Sequence, residues 1–311
     1  MEDSMKIVFM GTPEFAVPCL KALIDDGNEI KAVFTQPDKP KGRGYTLTPP
    51  PVKVCAAEHG ITVYQPSTLR DGEALRILEE IAPELIVVVA YGKILPKEIL
   101  DLPEFGCINV HASLLPMYRG AAPIQWAVLD GQKKTGVTAM LMDAGLDTGD
   151  MLMKAELDIG ENETADELHD RLSELGAQLI VKTVHAAAKG ELVREKQDDS
   201  KSCYASMLTK EMSRIDFSRP ASEVHNKVRG LNSWPGASAV FGGKRIKIHR
   251  TVLRSESGEP GRVISLEPLI VACGEGSVEL AEVQPEGRKK MTAAAFVNGL
   301  HCDKAKDMYF S

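Results

Sequence analysis

The chain has 311 residues, with 37 Lys and Arg against 44 Asp and Glu, a formal net charge of −7, and 43% hydrophobic against 26% charged residues. This length and balance fit a globular protein of two domains and exclude a disordered, fibrous or wholly basic nucleic-acid-coating chain. The longest aliphatic run, Leu85 to Ala90, is under a third of the roughly 20 residues that a membrane-spanning helix needs. The polar start Met1-Glu-Asp-Ser-Met5 lacks the basic stretch and apolar run of a signal peptide, so no membrane association and a cytoplasmic location are expected. Six scattered cysteines with no C-x-x-C pair point to reduced thiols rather than disulfides or a zinc ribbon.

In chain order, Lys6 to Met10 reads as a short apolar strand, and Phe15 to Ile24 carries apolar residues at helical spacing up to the turn Asp25-Asp-Gly-Asn28. Ile30 to Thr35 is a second strand, Val52 to His59 a helix, Ile61 to Tyr64 a strand and Glu73 to Ile81 a helix. Leu85 to Ala90 is β-branched and apolar throughout, as in a parallel strand covered on both faces, and Cys107 to Val110 follows as another strand. This alternation predicts an α/β domain with an open, mostly parallel sheet. Gly136 to Met142 and Asp150 to Leu157 read as strands around a Gly/Asp-rich turn, and Ala165 to Ala188 as a long amphipathic helix. The polar run Arg194 to Ser202 reads as a linker. Beyond Ser206, a helix from Ala221 to Arg229 precedes short strands cut by Gly242-Gly243, Pro260-Gly261 and Gly274-Glu-Gly276, the rhythm of a small all-β barrel. The expected domains are residues 1–189 and 207–311, joined by a linker over 190–206. From Ser206 onward there are 16 Lys and Arg against 12 Asp and Glu, so a modestly basic module follows an acidic one.

The turn after the first strand, Gly11-Thr-Pro-Glu-Phe15, has one glycine and no G-x-G-x-x-G, and Glu14 would repel a pyrophosphate. A dinucleotide site is therefore not expected there. The end of the Cys107 strand offers Asn109 and His111 on one face by period-two alternation. Two polar side chains ending an apolar strand are either a satisfied hydrogen-bonding pair or a working one. The turn Asp143-Ala-Gly145-Leu-Asp147-Thr-Gly149-Asp150 lacks the twelve-residue layout of a calcium loop, so no metal is expected. Asn, His and Asp together fit acyl transfer: Asn and a charged imidazole donate to a developing oxyanion, and the carboxylate manages protons. Ser113 has no G-x-S-x-G frame, which argues against a serine hydrolase.

Two motifs, Asn109-Val-His111-Ala-Ser113-Leu-Leu-Pro116 with Tyr118-Arg-Gly120, and Gly136-Val-Thr138-Ala-Met140-Leu-Met142-Asp143-Ala-Gly-Leu-Asp147-Thr-Gly149-Asp150, resemble those of the folate-dependent formyltransferases. The likeness extends to Phe9-Met-Gly-Thr-Pro-Glu-Phe15, Thr35-Gln-Pro-Asp-Lys-Pro-Lys-Gly-Arg43-Gly, Val89-Ala-Tyr91-Gly-Lys-Ile-Leu95-Pro and Leu231-Asn-Ser-Trp234-Pro-Gly-Ala237. The resemblance implies a Rossmann-like formyltransferase domain followed by an OB-like barrel. It further implies transfer of a formyl group from 10-formyltetrahydrofolate to an amine, without a metal and in a monomer. It assigns Asn109, His111 and Asp147 as the catalytic trio that handles a tetrahedral intermediate. Ala90, Tyr91, Leu95, Ser113, Leu114, Leu115, Pro116, Met140 and Asp143 are implied to frame the folate.

The loop from Gln36 to Pro51 mixes Lys39, Lys41 and Arg43 with five prolines and two glycines. Read by itself it is a solvated surface loop. The resemblance implies instead that Lys41 and Arg43 grip a tRNA acceptor end, with Lys210, Lys244, Arg245 and Lys247 of the second domain contacting phosphates. Arg250 is a further candidate for the same task. Together with Trp234-Pro-Gly236-Ala, this loop favours the acceptor arm of initiator methionyl-tRNA as the amine's carrier over a sugar nucleotide or ribonucleotide. A non-catalytic RNA-binding role is the competitor from a different class. Trp126 and Trp234 are both expected to pack, and His59, His169, His185, His225, His249 and His301 to be structural or surface residues.

Overall fold

The computed structural model describes residues 4–41, 46–300 and 308–311. In the first half, strands β1 (Lys6–Gly11), β2 (Glu29–Phe34), β3 (Lys39–Lys41), β4 (Thr46–Thr48), β5 (Val63–Tyr64), β6 (Leu85–Val89), β7 (Cys107–His111) and β8 (Arg119–Gly120) alternate with α1 (Val17–Asp25), α2 (Pro51–Glu58), α3 (Glu73–Ile81) and α4 (Lys97–Leu100). Then follow α5 (Pro123–Leu129), β9 (Lys134–Leu141), β10 (Met151–Asp158), the 24-residue α6 (Ala165–Ala188) and β11 (Tyr204–Ala205). Prolines sit in the first turn of α1, α2 and α5, where their missing N–H costs no helical bond. Helix α6 starts with a capping box: Thr164 N–H donates to Glu167 Oε2 at 2.9 Å, and Glu167 N–H donates to Thr164 Oγ1 at 3.3 Å.

The chain forms two compact units, the first comprising Met1–Gly120, Gly136–Leu157 and His169–Tyr204, the second Ala121–Thr135, Asp158–Leu168 and Ala205–Ser311. In the first, a seven-stranded sheet has the order β10-β9-β7-β6-β1-β2-β5. The β1, β2, β5, β6 and β7 pairings are parallel, and β6, Leu-Ile-Val-Val-Val, is buried at every residue. Strand order runs outward from β1 in one direction and from β6 in the other, so the winding switches between the carboxyl ends of β1 and β6, where ligands bind in such sheets, and the carboxyl end of β7 lies next to β6. Strand β9 pairs antiparallel with β7, with Asn109 opposite Met140 and His111 opposite Thr138. Within this unit, Met151 and Glu195 exchange both backbone hydrogen bonds, and Arg119 N–H donates to Cys203 O at 3.0 Å.

In the second unit, β12 (Ala237–Phe241), β13 (Lys244–Arg254), β14 (Val263–Leu266), β15 (Leu269–Ala272), β16 (Ser277–Pro285) and β17 (Met291–Thr292) form an antiparallel sheet in the order β12-β13-β16-β15-β14, with β17 on β16. Gly242 and Gly243 close the β12–β13 hairpin at φ +55° and +74°, as a two-residue turn with left-handed residues requires. Helices α7 (Ala221–Gly230) and α8 (Ala293–Asn298) bury Val224, Val228, Phe296 and Val297 in its core. Its two edge strands are tied by the tail: Val240 and Ser311 exchange backbone hydrogen bonds at 2.7 and 2.9 Å, and Val263 N–H donates to Met308 O at 2.9 Å. Phe310 stacks on Phe241 with centroids 4.6 Å apart. Among the described residues, no helix is long and apolar enough to cross a membrane.

Candidate active site

Strand β7 delivers Asn109 and His111 to its carboxyl end on one face of the sheet, as the alternation predicts. His111 is 6% exposed, and its Nε2 lies 2.8 Å from the carbonyl oxygen of Tyr118. A carbonyl only accepts, so Nε2 carries a proton and donates. Its Nδ1 faces Asp147 Oδ2 at 3.7 Å, close enough for charge attraction and too long for a hydrogen bond. Both ring nitrogens thus face oxygen acceptors. Asp147 Oδ2 also accepts from Gly120 N–H at 2.9 Å. Its Oδ1, like the half-buried amide of Asn109, has no hydrogen-bond partner among the described residues.

Backbone strain gathers here. Of the four non-glycine residues at positive φ among those described, Ala90 (+46°) follows β6, Tyr118 (+61°) presents the carbonyl to His111, and Asp147 (+53°) is the carboxylate itself. Such conformations persist only where the surroundings hold them, and they concentrate at working sites. The next turn needs Gly149, since a Cβ there would meet Leu141 O at 1.7 Å. Gln197, which the sequence offered only as part of a polar run, spans this turn: its Nε2 donates to Asp147 O and Gly149 O, both at 2.8 Å, and its Oε1 accepts from Arg119 Nε at 2.9 Å.

The folate candidates divide. Thr138 Oγ1, buried on β9, donates to Ser113 O at 2.7 Å and accepts from Leu115 N–H at 3.1 Å, fixing the Ser113–Pro116 segment, and Ser113 Oγ donates to Met117 O at 2.6 Å. Leu115, Met140 and Met151 pack as one apolar cluster, with Leu114 half-buried nearby in sequence. Ala90 is exposed at the end of β6. Tyr91 and Leu95, by contrast, are 1% and 4% exposed within the core against Phe34 and Met10, so only their backbone is available to a ligand. The Tyr91 hydroxyl is buried without a partner, and burial pushes its pKa up to about 12. Asp143 is exposed and occupied within its turn, accepting from Gly145 N–H and Thr148 Oγ1. The exposed apolar side chains Ile94 and Leu146, next to the β6 and Asp147 loops, were not singled out from the sequence. Among the described residues, no cluster of His, Cys, Asp and Glu could hold a metal.

Of the basic candidates, Arg43 and the side chain of Lys41 lie outside the described residues. Lys53, beside that loop, is ion-paired with Asp38 at 2.8 Å and holds the Asp38 carboxyl below its ordinary range. In the second unit, Lys210, Arg245 and Lys247 line one groove together with Arg214, Trp234 and Ser311. Arg245 donates to Ser238 Oγ at 3.0 Å and Ser213 Oγ at 3.2 Å, which orients its guanidinium. Lys244 falls in the opposite register from Arg245 and Lys247 and does not join them. Arg250 is engaged with Glu167 at 2.5 Å; the backbone N–H of Thr164 first, and then this Arg250 contact, draw the Glu167 carboxyl down to about 2. Trp234 corrects an expectation: it is 50% exposed at the mouth of the groove and does not pack in a core. Trp126 is half-buried and donates from Nε1 to Ser206 O at 2.8 Å.

The formyl transferase family model matches residues 5–184, and the model of its C-terminal domain matches residues 207–301. The methionyl-tRNA formyltransferase of Geobacter sulfurreducens is 52% identical over 301 residues, spanning 96% of this chain and 95% of its own. That of Clostridium novyi is 53% identical over 300 residues, spanning 95% and 97%. Among solved structures, the sugar 3N-formyl transferase WlaRD, crystallised in the presence of dTDP and 5-N-formyl-THF, superposes with a TM-score of 0.69 at 20% identity, over 92% of this chain and all but 1% of its own. HypX from Aquifex aeolicus in complex with tetrahydrofolic acid gives 0.65 at 17%, over 94% of this chain and 47% of its own. These two likenesses are of fold.

Proposed function

This chain belongs to the formyl transferase family over both its N-terminal and C-terminal parts, and we infer that it formylates the α-amino group of methionyl initiator tRNA, with 10-formyltetrahydrofolate supplying the formyl group. The observation that carries the reading is the meeting of a free Asn109 amide, the His111 ring and the Asp147 carboxylate at one strand end, in a chain about half identical throughout to methionyl-tRNA formyltransferases.

In this reading Asn109 and His111 hold the formyl oxygen. The Tyr118 carbonyl fixes the ring through Nε2, and the 3.7 Å gap to Asp147 leaves the Nδ1 proton to a third oxygen placed between them. Donors preset toward an oxygen that gains negative charge lower the barrier to acyl transfer. Asp147 keeps the imidazole charged through Oδ2 and uses its unpartnered Oδ1 to take the proton of the attacking amine; as the tetrahedral intermediate collapses, the formyl C–N10 bond breaks and that proton passes to N10 of the departing tetrahydrofolate. The segment Ser113–Pro116, the apolar cluster of Leu115 and Met140, exposed Ala90 and the backbone of Tyr91 and Leu95 form the folate wall, with Asp143 shaping the adjoining turn. The groove of Lys210, Arg214, Arg245 and Lys247 takes phosphates of the acceptor arm, with Lys41 and Arg43 as further contacts; Lys244, in the opposite register on its strand, is not among them. The division into a catalytic part, 1–189, a connecting stretch, 190–206, and a tRNA-binding part, 207–311, is part of this proposal. So is action as a monomer in the cytoplasm, where the free thiols of Cys19, Cys55, Cys107, Cys203 and Cys273 stay reduced.

The test is formyl transfer from 10-formyltetrahydrofolate to methionylated initiator tRNA, beside a nucleotide-sugar amine and the His111→Ala variant. Transfer to the tRNA that the variant loses is the expected result. Transfer to the sugar amine alone would overturn the acceptor, and no transfer to either would leave a non-catalytic RNA-binding protein.

A further inference from the structure

We propose that Gln197 is a positioning residue of the reaction, holding the Asp147 turn so that its carboxylate faces His111; this rests on the formyl-transfer reading above. Asp147 stands at φ +53°, a left-handed conformation that a residue with a side chain rarely adopts and that persists only where the surroundings hold it. What holds it is one amide. Gln197 Nε2 donates to the carbonyls of Asp147 and Gly149, either side of Thr148, both at 2.8 Å. The orientation of that amide is not ambiguous. Carbonyl oxygens only accept and Arg119 only donates, so nitrogen must face the turn and oxygen must face Arg119 Nε at 2.9 Å.

Gln197 is itself anchored from both sides. Arg119, whose side chain is 12% exposed, sends its other branch to Asp199 Oδ1 at 2.7 Å. The backbone next to Gln197 is fastened where Met151 N–H donates to Glu195 O at 2.8 Å and Glu195 N–H to Met151 O at 2.9 Å. The same Arg119 starts the strand whose Gly120 N–H binds Asp147 Oδ2 at 2.9 Å. Backbone and carboxylate of Asp147 are thus set by one connected group of hydrogen bonds, and its free Oδ1 is left to the substrate. A shift of about 1 Å in such a group is worth roughly a hundredfold in rate.

The experiment uses the full chain with Gln197→Ala and the isosteric Gln197→Glu, assayed for formyl transfer to methionylated initiator tRNA. Gln197→Glu turns a carboxylate oxygen toward two carbonyl oxygens while keeping the Arg119 contact, so it tests the donor and not the volume. In both variants kcat falls about 10- to 100-fold, while KM for both substrates stays within about twofold and the unfolding midpoint stays that of the wild type. In an Asp147→Asn background, Gln197→Ala lowers the remaining rate by less than about twofold, because the two residues act as one unit. An unchanged kcat in Gln197→Glu, a fall in kcat that tracks the unfolding midpoint, or the full loss repeated on Asp147→Asn would each overturn the proposal. The wild type and His111→Ala are run alongside. A His111-dependent rate indifferent to Gln197 removes the positioning role alone, whereas a wild type that transfers no formyl removes the parent reading and this one with it.

Discussion

At the scale of single residues, the site depends on which polar atoms are already occupied. His111 Nε2 is spent on Tyr118 and Asp147 Oδ2 on Gly120, which leaves the Asn109 amide, the His111 Nδ1 proton and Asp147 Oδ1 for chemistry. Asn109 is therefore expected to act on the oxyanion and not on the fold. Asn109→Ala lowers kcat by roughly 10²- to 10³-fold, the usual loss for one such donor, and leaves tRNA affinity unchanged. Steady-state kinetics beside a filter-binding titration check it, and an affinity that falls with kcat would reassign Asn109 to tRNA contact. Asn109 and His111 were legible in the sequence because period-two alternation alone puts them on one face. Asp147 was legible through its motif. Gln197 was not, because its partners are backbone carbonyls about 50 positions away and no local pattern records them.

At the scale of elements, most spans could be read off the sequence, since they follow from local periodicity and local stops. The 24-residue helix over Ala165–Ala188 has the limits its amphipathic spacing and Lys189-Gly190 end imply. What pairs with what was less legible: the antiparallel joining of β9 to β7, and the fastening of residues 195–203, depend on contacts far along the chain. Thr138 illustrates the consequence, because its placement opposite His111 lets one buried hydroxyl tie down both Ser113 and Leu115. Thr138→Val keeps the β-branched shape and orphans a buried N–H, which costs about 1–3 kcal/mol. Urea unfolding measures the stability, and KM for 10-formyltetrahydrofolate rises with it as the Ser113–Pro116 wall loosens. If stability falls and that KM does not move, the segment does not line the folate site.

At the scale of the whole molecule, a net charge of −7 sets a requirement on any polyanionic substrate: attraction must be local. The groove of Lys210, Arg214, Arg245 and Lys247 supplies it, and exposed Trp234 at its edge supplies a surface of a different kind. The two contributions separate by salt. Each Lys or Arg on a phosphate releases counterions, so Lys210→Ala, Arg245→Ala and Lys247→Ala each weaken tRNA binding and flatten the dependence of log K on log salt by about one unit. Lys244, facing away from the groove, changes neither quantity when replaced by Ala. A base stacked on Trp234 exchanges no counterions, so Trp234→Ala weakens binding by about 1–3 kcal/mol with the slope unchanged. Titrations of the wild type and the five variants at several salt concentrations distinguish these cases. Identical slopes throughout would mean that the groove does not meet phosphate, whereas a flattened slope for Lys244→Ala would move the contact to the other face of β13.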